Sequence, residues 1–179
     1  MQDPNVQSVS VRECTAADAQ RVAALGARLF REAYGPTHPE PELSRYLARE
    51  YTAGVFAAAV AADDGFVLVV DGADGIEIGY TWVRSSPKAP EGVEGSRSAE
   101  IVRFYVATEC QGRGLGTLLM TACFGAARER RYDSVWLQVW KEAPWAVGFY
   151  RKMGFDVVGS ASFYFGEQVG DDYVMERKL

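Results

Sequence analysis

The sequence predicts an α/β fold built on a sheet of mixed strand direction. Two observations indicate this fold. A strand-like run, a glycine-rich loop and a helix-like run follow one another over residues 99–131, and elsewhere two pairs of strand-like runs are joined by turn-forming residues, as in hairpins. Periodicity along the whole chain gives the order β-α-α-β-β-β-α-β-α-β-β, which contains seven strands. This order is typical of an α/β sheet of mixed direction.

The composition is that of an ordinary globular domain. The chain has 179 residues and a mass of 19.7 kDa, with 48% hydrophobic and 24% charged residues, which is enough for a sizeable core. We therefore expect a single domain over residues 1–179. The formal net charge of −5 argues against a broad nucleic-acid surface, because phosphate contacts require clustered Lys and Arg. The same charge is compatible with a cationic substrate and equally with simple solubility.

The sequence predicts a cytoplasmic protein with no membrane partner. No apolar run reaches the roughly 18 residues of a membrane span, and the first ten residues have neither the basic start nor the apolar centre of a signal peptide. The cysteines Cys14, Cys110 and Cys123 form no CxxC pair, and His38 is the sole histidine. The sequence therefore indicates no disulfide framework, no metal site and no Ser-His-Asp triad.

The first strand and helix are predicted from alternating and helical spacing. Val9 and Val11 alternate within a short strand over Ser8–Glu13. A helix follows, for which Thr15 is the candidate N-cap, with Asp18 three residues on as in a capping box. The predicted apolar stripe of this helix consists of Val22, Leu25, Leu29 and Ala33.

Further helical sequence and a hairpin come next. After the breaker-rich loop 35–39, residues 42–51 and 52–62 have helical composition, and the second segment is rich in alanine. Residues 66–70 and 76–83 are strand-like and are joined by a turn-forming segment that is too long for a two-residue turn. This pair leads towards the central strand.

A long polar loop separates that hairpin from the central strand. Residues 85–98 (SSPKAPEGVEGSRS) contain two prolines and two glycines, so we expect a mobile surface loop. Loops of this length are uncommon in compact domains and are often functional, so two interpretations stay open: the loop folds over substrate, or it is disordered without a function.

The centre of the chain is predicted to bind an anion. Residues 99–107 (AEIVRFYVA) have strand composition, and apolar residues recur at helical spacing from Leu115 onwards. Between these elements lies the glycine-rich segment 111–116 (QGRGLG). The first turn of a helix leaves N–H groups unpaired and carries partial positive charge, which together favour a phosphate. The alternative is a plain glycine-rich turn.

The glycine spacing excludes two common phosphate-binding motifs. A dinucleotide-binding loop requires GxGxxG, but Leu119 stands three residues beyond Gly116. A nucleotide P-loop requires Lys after GxxxxG, and this segment contains no Lys. The pattern that remains is QxxGxG, formed by Gln111, Gly114 and Gly116.

A strand, a helix and a second hairpin complete the predicted order. Residues 134–140 (SVWLQVW) have a strong strand pattern, and residues 142–153 have a helical one. The last two strands are predicted over 156–165 and 172–178, joined by a turn across 166–170.

With these motifs, the chain resembles the GNAT superfamily of acyl-CoA-dependent N-acetyltransferases. The QxxGxG loop follows a strand, and residues 137–155 (LQVWKEAPWAVGFYRKMGF) resemble the family pattern LxVxxxNxxAxxFYxxxGF. The resemblance implies the GNAT fold, a mixed and mostly antiparallel sheet of about seven strands with helices on both faces. Ala143 stands where the pattern has Asn, which removes one polar contact to the cofactor, worth roughly 0.5–1.5 kcal/mol.

Within the superfamily, the chain resembles the PaiA-like spermidine/spermine N-acetyltransferases. This likeness is carried mainly by the sequence beyond Val135, and more loosely by the stretches FREAYG and YLAREY. It implies transfer of an acetyl group from acetyl-CoA to a primary amine such as a polyamine, by a protein that pairs as a homodimer. A protein or peptide N-acetyltransferase is an alternative, and a non-catalytic acyl-CoA-binding regulatory module is another.

The resemblance also implies which residues bind acetyl-CoA. The glycine loop would hold the pyrophosphate, the backbone N–H near Val106 would polarise the acetyl carbonyl, and Phe149 would pack at the sulfur end. The implied cofactor-binding residues are Tyr105, Val106, Gln111, Gly112, Arg113, Gly114, Leu115, Gly116, Thr117, Ala143 and Phe149. Arg151 or Lys152 would reach the 3′-phosphate, unless both only form an exposed helix face.

Acetylation requires a neutral amine, whereas an alkyl amine with a pKa of about 10 is protonated at pH 7. Glu100 occupies the strand position of the catalytic glutamate in the histone-acetylating branch, so the resemblance implies a general base, or else a solvated or ammonium-binding carboxylate. Tyr150 would be the general acid for the leaving thiolate, or else a packed aromatic. The aromatic residues that could line the acceptor pocket, or instead form core, are Phe30, Tyr34, Tyr46 and Tyr51.

Overall fold

The computed structural model describes residues 9–86, 88–165 and 168–179, which contain seven strands and five α-helices. The strands are β1 (Ser10–Glu13), β2 (Gly65–Asp71), β3 (Glu77–Ser85), β4 (Ser98–Val106), β5 (Ser134–Trp140), β6 (Asp156–Phe165) and β7 (Gln168–Lys178). The helices are α1 (Ala19–Tyr34), α2 (Glu42–Glu50), α3 (Ala53–Ala61), α4 (Leu115–Glu129) and α5 (Pro144–Lys152). None of these described helices combines the length and the apolar composition that crossing a bilayer requires.

The strands form one sheet in the order β1-β2-β3-β4-β5-β7-β6. The pairs β1–β2, β5–β7 and β6–β7 are antiparallel, whereas β4 and β5 are parallel and pair over Ser98–Glu100 and Ser134–Trp136. The predicted sheet of seven strands, mixed and mostly antiparallel, is therefore confirmed.

Internal contacts divide the chain into two compact units, each of which is described by itself. The first unit contains the described residues up to Trp82 together with Arg103–Ala122, and the second contains those of Val83–Val102 and Cys123–Leu179. The single domain expected over 1–179 stays a prediction.

In the first unit, a buried carboxylate organises the start of α1. Asp18 is 4% exposed, and its Oδ2 accepts the Thr15 N–H at 2.8 Å and the Thr15 hydroxyl at 3.0 Å. Arg12 and Arg21 donate to the same carboxylate at 2.9 and 2.6 Å. The hydrogen bond from Arg12 outweighs the effect of burial and holds the pKa of Asp18 well below its usual range. Thr15 precedes a short 3₁₀ turn, so α1 itself begins only at Ala19.

Two details of the predicted helices need correction. Ala33, expected on the apolar stripe of α1, is exposed, and the buried stripe continues through Phe30 instead. The helical sequence over 42–62 forms two helices rather than one continuous helix. Thr52 ends the run because its hydroxyl accepts the Val55 N–H at 3.2 Å and caps α3.

The ends of two other predicted strands also differ. Ser8, the predicted first residue of the first strand, lies outside the described residues. The last strand begins at Gln168 instead of 172, so the turn predicted across 166–170 is too long. The reason is cross-strand pairing: Val169 and Gly170 lie opposite Tyr164 and Phe163, which extends the ladder beyond what local propensity indicates.

In the second unit, the loop between β3 and β4 is anchored at its end. Glu176, which is 5% exposed, accepts the backbone N–H groups of Glu94 and Gly95 at 3.0 and 2.9 Å. The carboxylate of Asp133 accepts those of Ser96 and Arg97 at 3.0 and 3.1 Å. The expectation of a mobile loop is therefore wrong for residues 94–97. Carboxylates far away in the sequence bind this backbone, and local composition cannot reveal them.

Gly95→Ala should destabilise the protein by about 2 kcal/mol, because overpacking a tight site costs this much. A Cβ at Gly95 would lie 2.0 Å from Ser134 Oγ and 2.8 Å from Asp133 Oδ1, so the loop would have to move away from its anchors. Urea unfolding measures the change. Gly125→Ala is the matched control, since no described atom lies within 4 Å of its Cβ position, and alanine in helix α4 should stabilise by about 0.5–1 kcal/mol. Equal effects of the two substitutions would contradict the anchored loop.

A second buried carboxylate makes stability depend on pH. Asp172 in β7 is 7% exposed and lies opposite Trp140 and Ala161. Burial and the neighbouring charge of Asp171 raise its pKa from 3.8 to about 6. The protonated form thus contributes stability that is complete below pH 3.8 and is lost as the pH rises through about 6.

Asp172→Asn should therefore stabilise the protein at pH 8 by about 2 kcal/mol, because a neutral amide avoids the cost of a buried charge. Urea unfolding between pH 4 and 8 measures the effect, and the gain should shrink towards pH 4. Asp63→Asn is the control, since Asp63 is exposed and its substitution should change stability much less. A gain that does not vary with pH would contradict the raised pKa.

Candidate active site

The predicted phosphate-binding loop lies between the end of β4 and the start of α4, in the first unit. A short 3₁₀ turn over Thr108–Cys110 leads into it. Gly112 and Gly114 have φ values of +76° and +79°, a backbone conformation that residues with a Cβ rarely adopt. Apart from the glycine itself and its two chain neighbours, no described atom lies within 4 Å of the position that a Cβ would occupy at either glycine. Glycine is therefore required here by the turn itself, and the space above the loop is open.

The start of α4 presents backbone N–H groups to that space. Leu118 N–H donates to Gly114 O at 2.9 Å, so the N–H groups of residues 115–117 precede the helix's own hydrogen bonds. The helix dipole adds partial positive charge at this end, and the exposed Arg113 adds a guanidinium. Together these groups form an anion-binding site of the kind that holds phosphates.

The end of β4 also has a defined backbone direction. Ala107 N–H donates to Ile78 O on β3 at 2.8 Å. Because successive N–H groups of a strand point to opposite sides, the N–H of Val106 points away from β3. Gln111 donates its side-chain amide to Val106 O at 3.4 Å and links the glycine loop to the strand. Val106, which is expected to polarise the acetyl carbonyl, therefore directs its N–H away from β3.

Four aromatic residues expected near an acceptor form one cluster in the first unit. The ring centroid of Phe30 lies 4.7 Å from that of Tyr34, 4.9 Å from Tyr46 and 5.5 Å from Tyr51. Phe30 and Tyr51 are only 5% and 7% exposed and belong to the core, whereas Tyr34 and Tyr46 are half-buried. An acceptor that reaches this cluster would touch Tyr34 and Tyr46.

Tyr105, predicted to bind the cofactor, belongs to the same cluster. Its ring stacks on Tyr80 at 5.9 Å and meets the edge of Phe30 at 6.5 Å. Burial raises the pKa of Tyr105 well above its usual value, so its hydroxyl remains protonated at neutral pH. The sequence placed this residue at the cofactor, whereas the contacts described here are with core aromatics.

Arg103 is a buried cation beneath the aromatic cluster, and sequence reasoning did not single it out. Arg103 is 7% exposed, and its guanidinium carbon lies 4.0 Å from the ring centre of Tyr51 and 4.9 Å from that of Trp82. Its Nη2 donates to Glu50 O at 2.9 Å, while Nη1 has no hydrogen-bond partner in the described part of the chain. The alternation of β4, in which Ile101 and Arg103 are both buried, was the signal that could have located it.

In the second unit, the candidate base Glu100 lies where the parallel ladder ends. It is the last residue of β4 that pairs with β5, opposite Trp136. The Glu100 side chain is 15% exposed. Arg84 from β3 donates its Nε to Glu100 Oε2 at 2.7 Å, and its Nη2 lies 2.6 Å from the same oxygen. The sequence did not single out Arg84, because the pairing of β3 with β4 alone brings it to Glu100.

The candidate acid Tyr150 lies in α5, also in the second unit. It is half-buried, and its ring meets those of Phe149 and Phe155 at 5.5 and 5.7 Å. Arg151 and Lys152, which follow it, are exposed in the last turn of the helix. These two aromatic contacts therefore hold the Tyr150 ring, and with it the hydroxyl, in place.

Ala143, which replaces the family Asn, is the N-cap residue of α5. It is 3% exposed and provides no side-chain cap. Its backbone oxygen accepts the N–H groups of Ala146 and Val147 at 3.0 and 3.1 Å. Pro144 follows at the first helical position, where its fixed φ suits a helix start. The helix therefore begins without the amide that the family pattern has at this position.

Comparisons with known proteins point to one enzyme family. The model of the Acetyltransferase (GNAT) family matches residues 27–155, a range that includes Glu100, the glycine loop and Tyr150. An uncharacterised N-acetyltransferase of Mycobacterium tuberculosis is 27% identical over 163 residues, which cover 90% of this chain and 98% of that protein. The mycothiol acetyltransferase of Saccharomonospora viridis is 34% identical over 95 residues, which cover 53% of this chain and 31% of that enzyme.

Solved structures show the same fold. The PaiA N-acetyltransferase of Thermoplasma acidophilum, in complex with coenzyme A, matches with a TM-score of 0.77 and 18% identity over 96% of this chain and 99% of that chain. The ribosomal-protein-S18-alanine N-acetyltransferase of Escherichia coli matches with a TM-score of 0.70 and 14% identity, over 96% of this chain and 94% of that chain.

Gly114→Ala should weaken coenzyme A binding about tenfold, because a Cβ strains the backbone at φ +79° by about 1–2 kcal/mol and redirects the N–H groups of the loop. Isothermal titration calorimetry measures the affinity. Gly125 lies in α4 with open space at its Cβ position, so Gly125→Ala should bind coenzyme A as the unmodified chain does. Unchanged affinity in Gly114→Ala would contradict a phosphate site at this turn.

Proposed function

Because the chain belongs to the Acetyltransferase (GNAT) family and is therefore an acyl-CoA-dependent acetyltransferase, we propose that it acetylates the primary amine of a small molecule, with polyamines as the acceptor class. The observation that carries the proposal is the open turn at Gly112 and Gly114 beside the free N–H groups of α4. This turn suits the pyrophosphate of acetyl-CoA. Arg113 and Thr117 are exposed beside it and would add a charge and a hydroxyl.

Glu100 is proposed as the base that removes the proton of the acceptor ammonium. Its Oε2 is occupied by Arg84, so Oε1 is the oxygen proposed to accept the proton. Glu100 is proposed to take the proton either directly or through water, as general bases can.

Tyr150 is proposed as the acid that completes the transfer. Acetyl-CoA supplies an acetyl thioester, whose carbonyl carbon is open to attack by an amine. As the new C–N bond forms and the C–S bond breaks, the Tyr150 hydroxyl gives its proton to the departing sulfur and Glu100 holds the proton from nitrogen. The Val106 N–H would donate to the carbonyl oxygen as negative charge develops there.

The polyamine acceptor is supported by the aromatic faces of the first unit. Tyr34 and Tyr46 are half-buried, and aromatic faces attract alkylammonium groups. The buried guanidinium of Arg103 would repel a cation that came close, so the contact is proposed at the exposed edges of the cluster. Lysyl peptides are the alternative acceptors. We further propose one domain over 1–179, since the family match spans residues of both units, and a cytoplasmic homodimer.

The decisive experiment is release of the coenzyme A thiol from acetyl-CoA with spermidine, spermine, monoamines, amino acids and lysyl peptides. Polyamines should give turnover, and both Glu100→Gln and Tyr150→Phe should lower kcat about 10²-fold, as expected for the loss of a general base or acid. Both variants should still bind acetyl-CoA in calorimetry, because neither residue is proposed to hold it.

Other outcomes would identify the alternatives. Faster turnover with lysyl peptides than with polyamines would indicate a protein or peptide N-acetyltransferase. Saturable binding of acetyl-CoA without thiol release for any acceptor would indicate a non-catalytic regulatory module, in which the missing amide at Ala143 accompanies a loss of chemistry. Full activity of Tyr150→Phe would remove Tyr150 from the mechanism.

A further inference from the structure

The ion pair between Arg84 and Glu100 is asymmetric. A guanidinium usually meets a carboxylate through two parallel hydrogen bonds, one to each oxygen. Here Arg84 Nε and Nη2 both contact Oε2, at 2.7 and 2.6 Å. The hydrogen bond that fixes this carboxylate is therefore to Oε2, and within residues 9–86, 88–165 and 168–179 no hydrogen bond to Oε1 is described.

The neighbours of Glu100 on β5 do not take up that second oxygen. Its partner in the parallel register is Trp136, and the preceding pairs are Ala99 with Val135 and Ser98 with Ser134. The Trp136 indole Nε1 is buried and has no hydrogen-bond partner among residues 9–86, 88–165 and 168–179. In this described part of the chain, Arg84 is therefore the charged residue that contacts Glu100.

We propose that Arg84 is a positioning residue that holds Glu100 with Oε1 turned towards the proton of the acceptor amine. This inference rests on the proposed function, in which Glu100 is the base. The Glu100 side chain is 15% exposed and that of Arg84 is 53% exposed, so solvent reaches the guanidinium more readily than the carboxylate. Arg84 acts through Glu100, and its own contact with substrate is not part of the mechanism.

The ion pair between Arg21 of α1 and Glu77 of β3 is a control that distinguishes an effect on catalysis from an effect on stability. Arg21 donates its Nε to Glu77 Oε1 at 2.7 Å, and the two side chains are 57% and 10% exposed. This pair matches Arg84 and Glu100 in its Nε distance and its exposure. Arg21 also donates to the buried Asp18 at 2.6 Å, but neither residue of the pair is proposed to act in catalysis. Exposed ion pairs contribute little to stability. A large loss of kcat on substitution of Arg84, without such a loss on substitution of Arg21, would therefore indicate a role in catalysis.

The test is a double-mutant cycle of Arg84→Gln and Glu100→Gln, with Arg21→Gln as the matched control. Arg84→Gln should lower kcat at least tenfold, because small misplacements of a catalytic group reduce rates strongly. Arg84→Lys should restore part of that loss. In the Glu100→Gln background, Arg84→Gln should cause no further loss, since its action requires the carboxylate. Arg21→Gln should leave kcat unchanged.

Two measurements besides activity accompany the cycle. The affinity for acetyl-CoA, measured by calorimetry, should be the same in Arg84→Gln and the unmodified protein. The melting temperature should fall by less in Arg84→Gln than in Arg21→Gln, because Arg21 also donates to the buried Asp18. A larger shift for Arg84→Gln, together with a loss of acetyl-CoA binding, would mean that the residue supports the fold and would overturn the proposal.

The kinetic outcomes distinguish this proposal from the one on which it rests. Full kcat in Arg84→Gln, with a loss in Glu100→Gln, overturns the role of Arg84 alone. An equal loss from Arg84→Gln in both backgrounds also overturns it, because the arginine would then act independently of Glu100. Full activity of Glu100→Gln overturns both the base and its positioning residue, and absence of transfer by the unmodified protein overturns the proposed function as a whole.

Discussion

The left-handed turn at Gly112 and Gly114 is the constraint on which the candidate site depends. Its backbone angles let the chain leave β4 and enter α4 within a few residues, so that the helix starts with its N–H groups uncovered. Side chains at these positions would strain the turn without filling a cavity, since the space above both glycines is open. Anion binding here is thus a property of the backbone, and Arg113 and Thr117 only add to it.

Three arginines of β3, β4 and the glycine loop illustrate how burial changes the use of one functional group. Arg113 is exposed, where a guanidinium can pair with a phosphate. Arg84 is partly exposed and holds a carboxylate by a single oxygen. Arg103 is buried against aromatic faces and donates to the backbone, where ring faces replace some of the hydrogen bonds that water would supply. Only the first of these roles was visible in the sequence.

The sequence predicted those features that depend on neighbours along the chain. The strand over 134–140 was predicted with its observed bounds, because its residues are apolar almost throughout. The glycine loop was predicted because spacing alone defines it. The contacts of Arg84, the anchoring of residues 94–97 by Glu176, and the early start of β7 were missed or mispredicted. Each depends on a partner in another element, and propensity carries no information about such partners. The roles of Glu100 and Tyr150 came from resemblance and stay predictions.

The anchored end of the loop between β3 and β4 has a consequence for cleavage by proteases. Proteases cut segments that can detach and adopt an extended form, and residues 94–97 are bound through their backbone N–H groups to Glu176 and Asp133. These hydrogen bonds lower the pKa of both carboxyl groups, against the opposing effect of burial. Acid that protonates the carboxylates would weaken both anchors together, so residues 94–97 should resist cleavage at neutral pH and become more susceptible in acid.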